Sequence, residues 1–316
     1  MDSKKFDVIC IGAALVDMVA QVERHPKEDD EVFVSNLSLL SGGAAANTAY
    51  ACAHLGLKTA FLGKLGRDDA FGTKIINDFK ECSVDISLVK YSEKYNTGSA
   101  YVALNQEGDR RIYAHSGAAN YLSEGDINEK ELIEADVIYL SSLKNLEPFI
   151  RASQIGNKYR LHVVLNPGML IIEQGFEKIQ NLLNHIEILI LSKREFTTLF
   201  DIQEISEELV KEKCDRLFNL GIKVIVVTMG EKGAFLLTKE QNELIRARKV
   251  AKIVDTTGAG DAFSAGFIYG LHKNLNYSFK DLRNNVIIGN WIAGKCIQKL
   301  GARNGIPMDP ERAVFK

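Results

Sequence analysis

The chain has 316 residues, of which 46% are hydrophobic and 25% are charged, as in a globular protein that can bury a core without disulfides or structural metals. Its formal net charge of −2 provides no excess of positive charge that would indicate nucleic acid or an anionic membrane as a partner. The five cysteines are scattered without a CxxC pair, which argues against a disulfide framework and a zinc cluster. We expect a cytoplasmic protein, because Asp7 and Asp17 interrupt the apolar N-terminal run and no segment approaches the length of a membrane helix.

Short apolar runs rich in β-branched residues recur along the chain, and such runs are typical of strands buried on both faces of a parallel sheet. They begin at Asp7 (DVICIG), Thr59 (TAFLGKLG), Asp136 (DVIYLSS), His162 (HVVLNPG), Ile186 (IEILILS) and Val224 (VIVVTMG). Helical spacing marks residues 44–55, 70–82 and 207–220, and the chain after Phe263 is expected to be helical through Lys299. This alternation predicts a doubly wound α/β fold with right-handed crossovers.

Two regions interrupt the alternation of strands and helices. Residues 17–40 and 97–115 show partial two-residue alternation, and residues 107–109 (EGD) are typical of a hairpin turn. Strands without adjacent helices cannot lie in the middle of an α/β sheet. We therefore expect them to form a small sheet at one edge of a single domain spanning 1–316, acting as a lid over an active site, as a dimer contact, or as both.

The most informative segment is residues 255–263, which read DTTGAGDAF. The small residues Gly258, Ala259 and Gly260 allow backbone N–H groups to converge, and the helix expected to follow adds positive potential through its dipole. Such a turn can stabilise the charge of a transferring phosphoryl group. Asp261 lies where its carboxylate can accept a proton from an attacking hydroxyl. The alternative is a structural glycine-rich turn in which Asp261 caps the helix.

The whole nine-residue string resembles the C-terminal signature of the ribokinase family, the PfkB-type carbohydrate and nucleoside kinases. Residues 41–49 (SGGAAANTA) resemble the N-terminal signature of the same family. Glycines at a helix start allow a substrate to approach the backbone, and the Asn47 side chain offers a donor and an acceptor to a sugar hydroxyl. The resemblance therefore implies substrate binding by Gly42, Gly43 and Asn47. It also implies substrate binding by Asp17, which matches a family position whose carboxylate binds substrate hydroxyls. The structural alternatives are that Gly42, Gly43 and Asn47 simply begin a helix and that Asp17 is an exposed residue of a turn.

The resemblance extends from about residue 7 to about residue 305. Residues 63–72 are similar to the family block between the second strand and its helix, and residues 97–98 and 117–120 are similar to the lid strands and the return into the main domain. The implied fold is ribokinase-like: a doubly wound, mainly parallel sheet flanked by helices, with a small β-sheet lid.

The resemblance also implies a site for ATP and Mg²⁺. Thr228, Gly230 and Gly233 match the ATP-binding turn of the family, although a plain hairpin explains the same residues. The family's Asn-x-x-Glu block, which organises Mg²⁺ and its waters, corresponds to residues 192–195. Glu195 is retained, so Mg²⁺ is expected to bind through it by way of ordered water. Ser192 replaces the family asparagine, and we expect it to be one of the ATP-binding residues.

Family members often bind a monovalent cation behind the anion-binding turn. Asp255 and Thr257 match two contributors to that site, so K⁺ is a second expected ion.

Taken together, these features predict transfer of the γ-phosphoryl group of ATP to a sugar hydroxyl. Asp261 would be the general base, residues 258–261 the anion hole, and Mg²⁺ the bridge between phosphates. We expect a homodimer through the lid, and neither nucleic acid nor membrane as a partner. A nucleoside such as adenosine is an open alternative acceptor, because Ala119 and Asn120 and the Ala-rich first signature suit one.

The same residues leave some other functions open and disfavour others. A catalytically weak sensor of sugars or nucleotides stays open because of Ser192. Lys144 lies near a position where ribokinase has an acidic sugar ligand, which weakens ribose as the acceptor and favours an anionic sugar unless Lys144 is simply a surface residue. A Rossmann dehydrogenase is disfavoured, because the chain reads GAALV from Gly12 instead of GxGxxG, and a GxxxxGK[ST] loop is absent from the sequence.

Overall fold

The computed structural model describes residues 4–308 of the chain. Within that range the backbone forms fourteen strands in three sheets. In chain order they are β1 (Phe6–Gly12), β2 (Leu15–Val22), β3 (Val34–Gly42), β4 (Thr59–Leu62), β5 (Lys64–Gly66), β6 (Lys90–Ser92), β7 (Thr97–Leu104), β8 (Arg110–Gly117), β9 (Ala135–Ser141), β10 (His162–Asn166), β11 (Ile188–Ser192), β12 (Val224–Thr228), β13 (Ala234–Leu237) and β14 (Asn242–Ile245).

Ten α-helices lie within the described residues, and several match the predicted helical segments closely. They are α1 (Ala44–His54), α2 (Ala70–Glu81), α3 (Glu129–Leu132), α4 (Glu147–Tyr159), α5 (Met169–Ile172), α6 (Phe176–Leu183), α7 (Lys193–Phe200), α8 (Glu207–Phe218), α9 (Ala259–Asn274) and α10 (Phe279–Cys296). A helix long and apolar enough to cross a bilayer is absent from residues 4–308.

The main sheet has eight strands in the order β14-β13-β12-β11-β10-β9-β1-β4. The six strands from β12 to β4 are parallel, and β13 and β14 add an antiparallel edge. Ser192 and Thr228 are paired at the carboxyl ends of β11 and β12. Ligands of open α/β sheets bind beyond the carboxyl ends of the strands, so this edge is where a site is expected.

Side chains of the main sheet pack against helices on both faces. Along β1, Val8 and Cys10 belong to one hydrophobic cluster, with residues of α1, α9 and α10. Ile9 and Ile11 belong to the other, with residues of α4, α6 and α8. All four side chains are fully buried. A strand buried on both faces has no polar side to alternate with, which is why its sequence is a continuous apolar run. The prediction of a doubly wound, mainly parallel sheet is confirmed.

A separate four-stranded sheet, which we call the small sheet, has the order β3-β2-β7-β8. Strands β7 and β8 form the predicted hairpin, and the Asn105 N–H donates to the Asp109 carbonyl across its turn. The two outer strands carry exposed apolar side chains, with Leu37, Leu39, Ile112 and Tyr113 exposing between 47% and 68% of their surface. The small sheet itself is thereby confirmed.

Two predicted elements have different boundaries in the structure. The single helical region expected from Phe263 to Lys299 is wrong at its middle, since Leu275 adopts a φ of 47° after α9 and the Ser278 side chain caps the start of α10. The strand expected from Thr59 also divides at Gly63, and β5 pairs with β6 in a two-stranded sheet. A Cβ at Gly63 would lie 2.6 Å from the Gly12 carbonyl oxygen, so the chain changes direction where only glycine fits.

Candidate active site

The segment DTTGAGDAF forms a tight turn and the first turn of α9. Gly258 is the N-cap with a φ of 76°, and a Cβ there would lie 2.4 Å from the Cβ of Ala302. Both backbone conformation and space therefore require glycine. The first amides of a helix have no intrahelical acceptor, which leaves them able to bind an anion.

The amides of this turn are not equivalent. The Ala259 N–H donates to the Thr256 carbonyl at 3.3 Å. This N–H is therefore already engaged in a long hydrogen bond, which makes Ala259 a weaker contributor to the predicted anion hole. Gly260 faces open space, because outside its chain neighbours and the backbone of α9 no described atom lies within 4 Å of where its Cβ would be. The N–H groups of Gly260 and Asp261 are the strongest candidates for holding a phosphoryl oxygen.

Asp261 lies in the first turn of α9 and faces α1. Its Oδ2 accepts a hydrogen bond from Asn47 Nδ2 at 2.9 Å. Burial raises the pKa of the Asp261 carboxyl to about 6, although the Asn47 hydrogen bond and the Arg303 charge act in the opposite direction. A carboxyl with this pKa is mostly ionised at neutral pH and is a better proton acceptor than an ordinary aspartate.

The predicted substrate residues lie together near this carboxylate. Asp17 is on β2, and a Cβ at Gly42 would lie 2.3 Å from Asp17 Oδ2, so the missing side chain of Gly42 makes room for the carboxylate. Gly43 has a φ of 93° and caps α1. Burial raises the pKa of Asp17 to about 6, and the charge of Arg303 lowers it. The positive charge of Arg303 thus acts on the carboxylates of both Asp17 and Asp261.

Asn47 has a role that the sequence did not indicate. Its amide oxygen accepts a hydrogen bond from Arg303 Nε at 3.0 Å, while its amide nitrogen donates to Asp261. Both ends of the amide therefore contact protein groups, and the side chain is buried. Arg303 itself was not predicted, because it lies in a polar segment after the last helix that carries no periodic signal. Arg303 and Asn47 are also 256 positions apart in the chain, so local sequence patterns do not indicate that they are in contact.

A cavity of about 730 Å³ lies on the other side of the α9 turn, and its size suits a small ligand. Its lining combines the turn at 228–233, which includes Thr228, Gly230 and Gly233, with Ala259 and Gly260. Apolar side chains complete the wall, namely Val250, Ile253, Phe263, Ala293 and Ile297. The predicted ATP-binding turn and the predicted anion hole therefore open into one space.

Ser192 and Glu195 form a capping box at the start of α7. The Ser192 N–H donates to Glu195 Oε2 at 2.6 Å, and the Glu195 N–H donates to Ser192 Oγ at 3.2 Å. The box uses one of the two carboxylate oxygens. Burial raises the pKa of Glu195, so a nearby cation would stabilise its ionised form. Serine thus replaces the expected asparagine with a good helix cap, and Ser192 is not among the residues that line the cavity.

Asp255 stabilises the turn that precedes α9 through hydrogen bonds. Its carboxylate accepts hydrogen bonds from the Thr257 backbone and hydroxyl and from the Gly301 N–H, at 2.7–3.0 Å. Arg110, on β8 of the small sheet, donates to Asp255 Oδ1 at 2.9 Å and to the Thr257 hydroxyl at 3.1 Å. The residues expected to hold a monovalent cation therefore contact a guanidinium group, and Arg110 links the small sheet to the turn that precedes α9.

Comparisons with known proteins extend over nearly the whole chain. A family model described as pfkB family carbohydrate kinase matches residues 5–309. The chain is 30% identical over 305 residues to a ribokinase of Staphylococcus aureus (strain COL), which covers 95% of this chain and 96% of that protein. It is 24% identical to a nucleoside kinase of Methanocaldococcus jannaschii, over 97% of this chain and 95% of that protein. The structure of Arabidopsis thaliana ribokinase complexed with ribose and ATP matches with a TM-score of 0.85 at 25% identity, covering 98% of this chain and 97% of that one.

Proposed function

The chain belongs to the pfkB family of carbohydrate kinases and is an ATP-dependent phosphotransferase, and we propose that it phosphorylates a sugar hydroxyl with Asp261 as the general base. The observation that carries this proposal is the position of Asp261. The carboxylate accepts a hydrogen bond from Asn47 on α1 and feels the charge of Asp17, while the neighbouring Gly260 lines the nucleotide-sized cavity. A base in that position can take the proton of a hydroxyl as the hydroxyl attacks phosphorus.

The protein groups divide the work of the reaction. In-line attack of the acceptor oxygen forms the new O–P bond, the bond to the leaving ADP oxygen breaks, and Asp261 accepts the hydroxyl proton. The Gly260 and Asp261 amides at the α9 N-terminus stabilise the charge on the transferring group, with help from the helix dipole. The small sheet closes over the acceptor and excludes water, which prevents hydrolysis of ATP.

A divalent ion is the expected companion of ATP, and Glu195 suits it through intervening water. The capping box leaves one carboxylate oxygen outside its hydrogen bonds, and the buried carboxylate gains from a neighbouring cation. Mg²⁺ would neutralise phosphate charge at this position. For K⁺, Asp255 and Thr257 are the proposed ligands, and Arg110 would compete for the same oxygens.

A free sugar is the acceptor we favour over a nucleoside. The carboxylates of Asp17 and Asp261 and the backbone at Gly42 and Gly43 offer polar contacts to a small polyol, and the Asn47 amide, although held by Arg303 and Asp261, has a second N–H hydrogen to donate. An ATP-consumption screen with Mg²⁺ and K⁺ tests this choice against D-ribose, 2-deoxy-D-ribose, D-fructose, sugar acids and adenosine. A strong response to one sugar supports the proposal, whereas a response to adenosine alone identifies a nucleoside kinase. Silence across the panel with ATP binding intact leaves a weak sensor or an acceptor outside the panel.

We also propose a homodimer that forms through the small sheet. Its outer strands β3 and β8 expose Leu37, Leu39, Ile112 and Tyr113, which an isolated protein would leave in water. Sedimentation equilibrium of the wild type and of a Leu37→Asp, Leu39→Asp variant measures this directly. A dimer that the variant loses supports the proposal, and a monomeric wild type contradicts it.

The cytoplasm is the proposed location. It supplies ATP, and its reducing conditions suit the five free thiols. Fractionation of cells that contain the tagged protein tests the location.

A further inference from the structure

Arg303 is a buried cation with an incomplete set of partners. Its side chain is 10% exposed, and its Nη1 and Nη2 atoms are buried without a hydrogen-bond partner among the described residues. The rings of Tyr50 and Phe79 flank the guanidinium at 5.0 and 5.7 Å. Removing a guanidinium from water is unfavourable unless its donors are satisfied, so folding alone does not explain an arginine at this position.

An ordinary ion pair does not account for Arg303 either. Among the described residues the nearest carboxylate oxygen is Asp78 Oδ2, which lies 3.9 Å from Nη1 and is therefore beyond hydrogen-bonding distance. That same oxygen accepts the Ser41 hydroxyl at 2.5 Å and Lys74 Nζ at 3.2 Å. Asp78 thus has closer partners than Arg303.

Within residues 4–308, the one hydrogen bond that Arg303 makes leads to the proposed base. Arg303 Nε donates to Asn47 Oδ1, and Asn47 Nδ2 donates to Asp261 Oδ2. A guanidinium can only donate hydrogen bonds, so it fixes the oxygen end of the Asn47 amide. The amide nitrogen must then point toward Asp261.

The charges around Asp261 give Arg303 a second effect. Glu195 and Asp17 both disfavour the ionised form of Asp261, and among the described residues Arg303 is the cation that opposes them. The charge of Asp261 also acts on the Tyr139 hydroxyl and the Cys296 thiol, and together with burial it raises the pKa of both, so they stay neutral at physiological pH.

We propose that Arg303 is the positioning residue of the active site: it orients the Asn47 amide that holds the Asp261 carboxylate, and it supplies the positive charge that keeps this carboxylate ionised. The inference rests on the proposed role of Asp261 in catalysis. Arg303 acts through Asn47 and through its charge, not by contact with the reacting atoms.

The test measures the titration of Asp261 without any acceptor. Protein labelled with ¹³C at the aspartate carboxyl groups is titrated from pH 4.5 to 9 by NMR, and Asp261→Asn and Asp17→Asn variants assign the two resonances. Three substitutions separate charge from hydrogen bonding. Arg303→Met removes both, Arg303→Gln keeps an amide donor without charge, and Arg303→Lys keeps the charge. Lys280→Met, which removes an exposed charge on α10, is the matched control.

In the Arg303→Met and Arg303→Gln variants we expect the pKa of Asp261 to rise by about one pH unit, because the stabilising cation is lost. Arg303→Lys should move it by less than half as much, and Lys280→Met should not move it. The acidic limb of kcat/KM should shift to higher pH by the same amount. Thermal unfolding shows which variants are folded. A single folded variant without the charge, either Arg303→Met or Arg303→Gln, is sufficient for the test. An unchanged Asp261 titration in a folded uncharged variant overturns the inference. Because the NMR titration needs no acceptor, failure of the kinase screen remains a separate result.

Discussion

Replacing Asp261 with asparagine removes the proposed base while it leaves the shape of the site nearly unchanged. The amide oxygen of the new side chain can still accept the hydrogen bond from Asn47 Nδ2. The nucleotide cavity is not lined by the Asp261 side chain, so ATP should bind as in the wild type. The variant therefore isolates the proton-transfer step from binding.

The expected loss follows from what a general base contributes. Such a group typically accelerates a reaction by about 10²- to 10⁴-fold, so kcat of Asp261→Asn should fall at least about 100-fold, or about 3 kcal/mol in the barrier. The wild type should also lose activity below pH 6, about tenfold per pH unit, because protonation of a carboxyl with a pKa of about 6 removes the base. The variant should lack this acidic limb.

A coupled assay that reports ADP formation, run from pH 5 to 9 with the acceptor from the screen, provides the measurement. Asp215→Asn, which neutralises an exposed carboxylate on α8, is the control and should behave as the wild type. Calorimetric titration with ATP shows whether binding is retained. A variant with kcat within threefold of the wild type, or with the same acidic limb, would refute the assignment of Asp261.

Three further predictions concern stability, the anion hole and the monovalent cation. Because burial raises the pKa of Asp261 from 3.8 to about 6, folding favours the protonated form and stability falls as pH rises between these values. Asp261→Asn should therefore raise the free energy of unfolding at pH 7.5 by up to about 3 kcal/mol, seen as a higher Tm, and should change it little at pH 4. Equal changes at both pH values would argue against a buried charge. Gly258→Ala places a Cβ 2.4 Å from that of Ala302 at a φ of 76°, so kcat should drop at least tenfold with ATP affinity nearly retained, and unchanged turnover would show that the turn is not an anion hole. Arg110→Gln frees the Asp255 carboxylate, so titration with KCl should show stronger activation than in the wild type; an identical K⁺ response would exclude competition at Asp255.

Much of the fold could be predicted because its signals are local. The run VICIG of β1 (residues 8–12) is buried on both faces, so every position is apolar or glycine and the strand is evident without knowledge of its neighbours. Gly258 was identifiable for a similar reason, since the positive φ of a tight turn is a local requirement that favours glycine. Such constraints act on single positions and leave a trace in the sequence.

The features that were missed depend on distant contacts or on competing local chemistry. Arg303 meets Asn47 only after the whole chain has folded, and an arginine in a polar segment is ordinarily a solvated side chain. The break after α9 depends on Leu275, a residue that seldom adopts a positive φ. The capping box of Ser192 and Glu195, by contrast, has a recognisable S-x-x-E spacing and could have been predicted as a helix start.

The most direct test of the account is a ³¹P NMR experiment on the purified protein with MgATP, KCl and each acceptor in turn. The account predicts that the γ-phosphate resonance of ATP is replaced by ADP and a sugar phosphomonoester, only when a sugar is present and only with Asp261 intact. Formation of a phosphomonoester with adenosine alone, or of inorganic phosphate without a sugar phosphate, would contradict it.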